Sequence, residues 1–412
     1  MTIFRTMFST YTILMIIGSA LALGKFIVFA KLLSVNDFGL YSIFISLGTF
    51  AVFLFSFGSD IIFFNTGNKH LARNNDRKIS TLYSKLLTFH IVWGCVYSAI
   101  VYLLIHLFFP LVNMQEQFSL IGLFSLNLIL FNIGTTYFRI YENFVAFGAY
   151  IFLKGFVSLL VALILIDLYG VKGVISAEII SLIVINYFLV KRTGFSFLPV
   201  KNINRYTRAY LKSGAPFAFG YLMQNLSLNI DRWIISVYLG MRSVGLYSFS
   251  LIYLQAAASL MNIYSQVINA KFLKTIHKEK SYTTVMKEIR IINTYISIGF
   301  LLFYLVNYFM MDMVILKIFD QYIAARELIL IVLFGVYFYL INIYEIILIA
   351  SNKGTKISKI NLQVLTFLIL MYVIAWYMEY GLLFFGFIFV LSRAMNFILI
   401  FFEAKKIVKY GY

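Results

Sequence analysis

The sequence predicts an all-α polytopic membrane protein, with twelve transmembrane helices in two pseudo-symmetric six-helix bundles around a central cavity. Three observations predict it. Hydrophobic residues make up 62% of the 412 and charged residues only 12%, with a mean hydropathy of +0.91, a composition that cannot be spread over a water-exposed surface. Apolar runs of about 20 residues, the length that crosses roughly 30 Å of hydrocarbon, recur along the whole chain with short interruptions. The tetrad Gly-Leu-Tyr-Ser that begins at Gly39 returns at Gly245, 206 residues later and half a chain away.

The elements follow in order. The first run, 11–33, carries Lys25 and Lys31; it is long enough to span and shows no small-residue cleavage pattern before Lys25, so it is expected to stay as an anchor. The second, 40–66, opens on the first tetrad and holds Asp60 about a turn and a half from its inner end. Runs at 86–109 and 118–138 follow; the single cysteine, Cys95, lies in the former and excludes an internal disulfide or a cysteine-rich metal site. The fifth, 146–167, carries Lys154 about two turns in, and the sixth, 173–190, carries Glu178. Residues 191–213 form the longest interruption, a cationic linker. Beyond it come 214–238 with Asp231 and Arg232, 244–270 opening on the second tetrad, 291–310, 327–350 with Glu345, 360–378, and 382–402 with Arg393 near its middle. The expected domains are therefore a six-helix bundle over 1–190, the linker 191–213, and a second bundle over 214–412.

Orientation comes from the 34 Lys and Arg residues, because cytoplasmic loops retain cations during insertion. With both termini cytoplasmic, 25 of them fall in inner segments, whereas the outer loops hold only Lys172, Arg242, Lys317 and Arg326. Removing or adding one helix inverts this pattern downstream, so the charges independently support an even number of spans. The formal net charge of +18 is thus mostly topology, and no nucleic-acid partner is expected, since no basic cluster sits on a soluble domain.

The half-length offset pairs the first span with the seventh and the second with the eighth. "GKFIVFAKLLSVNDFGLYS" (Gly24–Ser42) lines up with "IDRWIISVYLGMRSVGLYS" (Ile230–Ser248), each ending a span, turning outside and starting the next. Two six-helix halves that both begin inside form a parallel repeat about an axis along the membrane normal, a common transporter plan.

Ionisable residues inside spans are the functional candidates, because buried unpaired charge is costly. Four cations, Lys25, Lys154, Arg232 and Arg393, suit an anionic substrate. Four carboxylates, Asp60, Glu178, Asp231 and Glu345, suit ion coupling or gating. Six have a plainer alternative: snorkelling to the interface for Lys25, an anchor for Lys154, a structural ion pair for Asp231 and Arg232, and pairing with inner-loop cations for Asp60 and Glu345. Arg393 is too deep to snorkel and needs a partner among Asp60, Glu178, Asp231 and Glu345. The four histidines have no ligand spacing, so no metal is expected. No Walker-type loop is present, so no nucleotide cofactor is expected; ion exchange or the membrane potential, about 2.3 kcal/mol per charge per 100 mV, would supply the energy.

The segments "LGKFIVFAKLLSVNDFGLYS" (Leu23–Ser42) and "LKSGAPFAFGYLMQNLSLNIDRWIISVYLGMRSVGLYSFS" (Leu211–Ser250), with the twelve-span layout, resemble the O-antigen and polysaccharide-unit (Wzx-type) flippases of the multidrug/oligosaccharidyl-lipid/polysaccharide (MOP) exporter superfamily. The resemblance covers essentially the whole chain. It implies translocation of an undecaprenyl-pyrophosphate-linked oligosaccharide from the cytoplasmic to the periplasmic leaflet of a bacterial inner membrane. It also implies contact with membrane lipids and with the polysaccharide polymerase and chain-length machinery. Exporters of capsule, teichoic-acid or peptidoglycan precursors, or of drugs, remain alternatives. A polymerase or ligase enzyme is disfavoured, since its chemistry needs a sizeable outer loop and the longest here is expected over 311–326.

Overall fold

In a computed structural model, which describes residues 2–71, 73–108, 119–197, 203–256, 272, 282–351 and 353–410, the apolar runs form helices wherever those residues are described. In chain order these are α1 (Thr2–Leu32), α2 (Val35–Ser56), α3 (Ser59–Leu71), α4 (Asp76–Phe108), α5 (Ile121–Ile140), α6 (Phe144–Thr193), α7 (Ile203–Tyr238), α8 (Met241–Ser250), α9 (Tyr282–Ile318), α10 (Arg326–Leu340), α11 (Glu345–Ala350), α12 (Gly354–Tyr377) and α13 (Leu382–Tyr410). Short 3-10 turns at Asp320–Ala325 and Asn342–Tyr344 flank α10. Eight helical segments among the described residues are long and apolar enough to cross a membrane; one, α6, holds both the fifth and sixth expected spans, bent where Gly170 leaves helical geometry. The chain is thus a multi-pass membrane protein. Most of the eighth span, 257–270, lies outside the described residues, as do His277 and the side chain of Cys95.

Among the described residues three expected spans are not continuous; in 244–270 the first helix ends at Ser250 and Leu251 is a turn. The run 40–66 is broken between α2 and α3, where Phe57 and Gly58 both take left-handed backbone at φ 50° and 67°. The local sequence Phe-Gly-Ser-Asp explains it: glycine accepts that geometry without strain, and Ser59 and Asp60 then favour a new helix start. His90 of α4 secures the break, with its Nε2 2.8 Å from the Ser59 hydroxyl. The run 327–350 is interrupted by the 3-10 turn Asn342–Tyr344, so that Glu345 begins α11. α9 runs on to Ile318 and most of the expected 311–326 connection is helical.

The chain divides into two compact units, residues 1–25 with 43–225 and residues 26–42 with 226–412. In the first, α5 packs against α4 and α6, and α3 against α4 and α5. In the second, α13 packs against α10 and α12. The second unit also takes in the end of α1 and the start of α2, and this is where the repeated tetrads meet. A Cβ built on Gly39 would lie 2.9 Å from Gly245 N, and one built on Gly245 would lie 2.8 Å from Val35 Cγ1. Both glycines are therefore required by close backbone approach, not by turn geometry. Ser34 caps α2, its hydroxyl accepting from Asp37 N–H at 3.1 Å and donating to the Asp37 carboxylate at 2.8 Å, a local version of the capping box. Gln321 ties the hairpin down, donating to the carbonyls of Ala30 (2.8 Å) and Leu33 (3.2 Å).

Candidate functional site

Among the described residues, each unit buries a cluster of charged side chains between its helices. In the first, Lys25 of α1 is 8% exposed and Glu178 of α6 is 2% exposed. Their side chains form a salt bridge, and Lys25 Nζ also donates to the Ser158 hydroxyl at 3.3 Å. Lys154, one helical turn before Ser158, lies close enough to feel the charges of both Lys25 and Glu178, and its ammonium rests 5.1 Å from the centre of the Phe131 ring. The sequence left Lys25 a choice between snorkelling and function; the structure holds it buried and paired. Glu178, considered as a partner for Arg393, pairs with Lys25.

In the second unit, Asp231 of α7 is 2% exposed. Its carboxylate accepts from the Tyr247 hydroxyl and, at 2.8 Å, from the Arg232 backbone N–H. Tyr247 is the tyrosine of the second tetrad, so the repeat that marks the half-length symmetry also supports this carboxylate. Arg232 donates to Asn229 Oδ1 at 3.0 Å. Arg393 of α13 donates to the Ser227 carbonyl at 3.3 Å, lies over the Phe389 ring at 5.1 Å and sits within Coulombic reach of Asp231. The Nε atoms of both arginines are buried without a hydrogen-bond partner, an unusual state for so strong a donor.

The clusters have a shared plan in which cation and carboxylate exchange places between equivalent spans. In the first and sixth expected spans a lysine (Lys25) faces a glutamate (Glu178); in the seventh and twelfth an aspartate (Asp231) neighbours an arginine (Arg393). Lys25 and Asp231 are separated by the same 206 residues as the tetrads. Each cluster gathers two cations and one carboxylate. A buried pair of this kind is expensive to break by deleting one partner.

Asp60 and Glu345 join neither cluster. Asp60 stands in the first turn of α3 and lines a cavity of about 520 Å³ between α2, α3 and α5. Glu345 begins α11 beside a second polar knot, in which Asn342 donates to Asn396 (2.9 Å) and Asn396 to Asn361 (3.3 Å). Sequence reasoning missed the cavity, along with Asn132, Thr136 and Arg139 on its α5 wall. The signal available was the Gly58-Ser59-Asp60 break in mid-span. Among the described residues no group of three or more His, Cys, Asp or Glu is arranged to hold a metal.

Residues 7–269 match the family model described as "Polysaccharide biosynthesis protein". No curated protein is similar enough in sequence to match. Among solved structures, a multidrug resistance MATE family transporter of the MOP superfamily, inward-facing, superposes with a TM-score of 0.70 at 13% identity over 96% of this chain and 94% of that one. The lipid II flippase MurJ, in an inward closed conformation, gives 0.68 at 13% identity over 96% and 87%. A MOP superfamily transporter from Pyrococcus furiosus gives 0.59 at 13% identity over 98% and 96%. The fold is that of MOP transporters, and these neighbours are transporters and flippases, not enzymes.

Proposed function

The chain belongs to the polysaccharide biosynthesis protein family, and from that premise we propose that it is a flippase for an undecaprenyl-pyrophosphate-linked oligosaccharide, such as an O-antigen repeat unit. It carries the lipid-linked unit from the cytoplasmic to the periplasmic leaflet of a bacterial inner membrane by alternating access. The observation that carries this reading is the sign of the two intramembrane clusters: each holds two cations against one carboxylate. A pyrophosphate diester bears a negative charge on each phosphorus and cannot cross hydrocarbon unaided. Lys25, Lys154, Arg232 and Arg393 supply the opposite charge, and the unpartnered Nε atoms of the two arginines match a planar fork that grips phosphate at two points.

Glu178 and Asp231 hold the cations while substrate is absent, and together with Asp60 and Glu345 they are the groups through which an ion gradient acts. Two helical bundles, residues 1–25 with 43–225 and residues 26–42 with 226–412, carry the motion, and the cation distribution supports cytoplasmic termini. Work of this kind needs neither cofactor nor catalytic residue. The polysaccharide polymerase and chain-length machinery are the expected downstream partners. A drug exporter of the same fold would meet cationic compounds with acidic cavities, and here cations outnumber carboxylates in both clusters.

The test is the fate of the lipid-linked intermediate in cells lacking the protein. Complete units held on the cytoplasmic face establish flipping. Single units accumulating on the outer face would place the defect in polymerisation or ligation.

A further inference from the structure

The cavity between α2, α3 and α5 carries more than its single carboxylate. Along one side of α5, Asn132, Thr136 and Arg139 stand at helical spacing and all line it. Asn132 and Thr136 make no side-chain hydrogen bond among the described residues, although Thr136 is 4% exposed. The Arg139 guanidinium lies over the rings of Phe64 (4.7 Å) and Phe147 (5.6 Å), with no carboxylate partner among the described residues. Opposite stand Asp60 and the Phe53 and Phe64 rings. An amide, a hydroxyl, a carboxylate and a guanidinium thus converge with aromatic surface in one cavity of about 520 Å³, a volume in the usual range of about 300–1,000 Å³ for small-molecule sites.

These groups select a ligand class. A carboxylate and an amide read vicinal hydroxyls, aromatic rings pack on the apolar faces of a sugar ring, and a guanidinium reads phosphate. A bare cation fits poorly: its oxygen ligands must close to roughly 2.0–2.6 Å, which this volume does not impose, and Arg139 repels it. Arg139 closes the end of α5 that the cation distribution assigns to the cytoplasm, the side on which a lipid-linked sugar is made.

We propose that this cavity is a sugar-phosphate subsite, which receives the sugar nearest the pyrophosphate of the lipid-linked substrate before translocation. The proposal rests on the flippase reading and adds to it a place where the sugar is selected, apart from the buried clusters that attract the pyrophosphate.

The test uses the full-length purified protein in nanodiscs and measures binding of two lipids: the glycosylated lipid that accumulates in cells lacking the protein, and sugar-free undecaprenyl pyrophosphate. UDP-N-acetylglucosamine, a soluble sugar diphosphate, forms a third arm. The wild type is expected to bind the glycosylated lipid at least tenfold more tightly than undecaprenyl pyrophosphate, a difference of about 1.4 kcal/mol. Asn132→Leu is expected to bring that ratio close to one while leaving undecaprenyl pyrophosphate binding intact. Thr136→Val, a milder change in the same wall, is expected to lower the ratio and serves if Asn132→Leu elutes aggregated. Preference that persists in the folded variants, or is absent from the wild type, overturns the subsite while the flippase reading stands. Tighter binding of the soluble sugar diphosphate than of the glycosylated lipid overturns its assignment to the lipid-linked sugar. Failure of the wild type to bind either lipid overturns the flippase reading and the subsite with it.

Discussion

At the scale of single residues, a buried cation needs either a structural partner or a ligand to offset its desolvation. Lys25 is held by Glu178 and Ser158, so Lys25→Ala removes a charge and also leaves Glu178 buried without that partner. Deleting one partner of a buried pair costs about 3–5 kcal/mol, whereas replacing both is far cheaper. Lys25→Ala is therefore expected to lower thermal stability in detergent and abolish export, while Lys25→Ala/Glu178→Ala regains most of the stability and still does not export. Export restored by the double variant would make the pair purely structural. Arg393→Lys keeps charge but loses the fork that reaches the Ser227 carbonyl; export assayed by polymer production is expected to fall at least tenfold, and wild-type output would reject two-point phosphate binding. Lys25, Asp231 and Arg393 were legible in the sequence because an ionisable side chain inside an apolar run stands out. Their partners were not legible, since nothing in a linear pattern says that Lys25 meets Glu178, 153 residues away.

At the scale of helices, apolar runs mark where a span lies but not where it breaks. A run such as 40–66 is apolar on both sides of Phe57 and Gly58, and hydropathy averages over the two left-handed residues that end α2 and restart the chain as α3. The break places Asp60 in a first turn beside the cavity, so the most chemically informative feature of this region was the least visible in the sequence. The tetrads behave oppositely. Their recurrence was plain, and the structure gives the reason: Gly39 and Gly245 let the starts of α2 and α8 approach backbone to backbone, while Tyr247 donates to Asp231. Gly245→Val is expected to destabilise the protein by at least about 1–3 kcal/mol, the usual cost of overpacking, read as a lower unfolding temperature and a reduced folded yield. An unchanged unfolding temperature would show that this crossing is loose.

At the scale of the whole molecule, the class of protein was legible in composition, because that is a sum over many residues and tolerates local error. What remained hidden is three-dimensional. The two clusters share a plan and exchange sign between equivalent helices, and that pairing emerges only when the sixth and thirteenth helices are seen against the first and seventh. If the membrane potential helps drive an anion outward, dissipating it with valinomycin and potassium is expected to slow translocation in energised vesicles by about 2.3 kcal/mol per charge per 100 mV removed; a rate insensitive to the potential and to imposed proton and sodium gradients would exclude coupling through Glu178, Asp231, Asp60 or Glu345.

The most direct measurement is the sidedness of the undecaprenyl-pyrophosphate-linked oligosaccharide in spheroplasts with and without the protein, read by accessibility to an added membrane-impermeant glycosidase or lectin. A flippase predicts that the glycosylated lipid is reached from outside when the protein is present and becomes protected when it is removed. Equal accessibility in both would contradict the account.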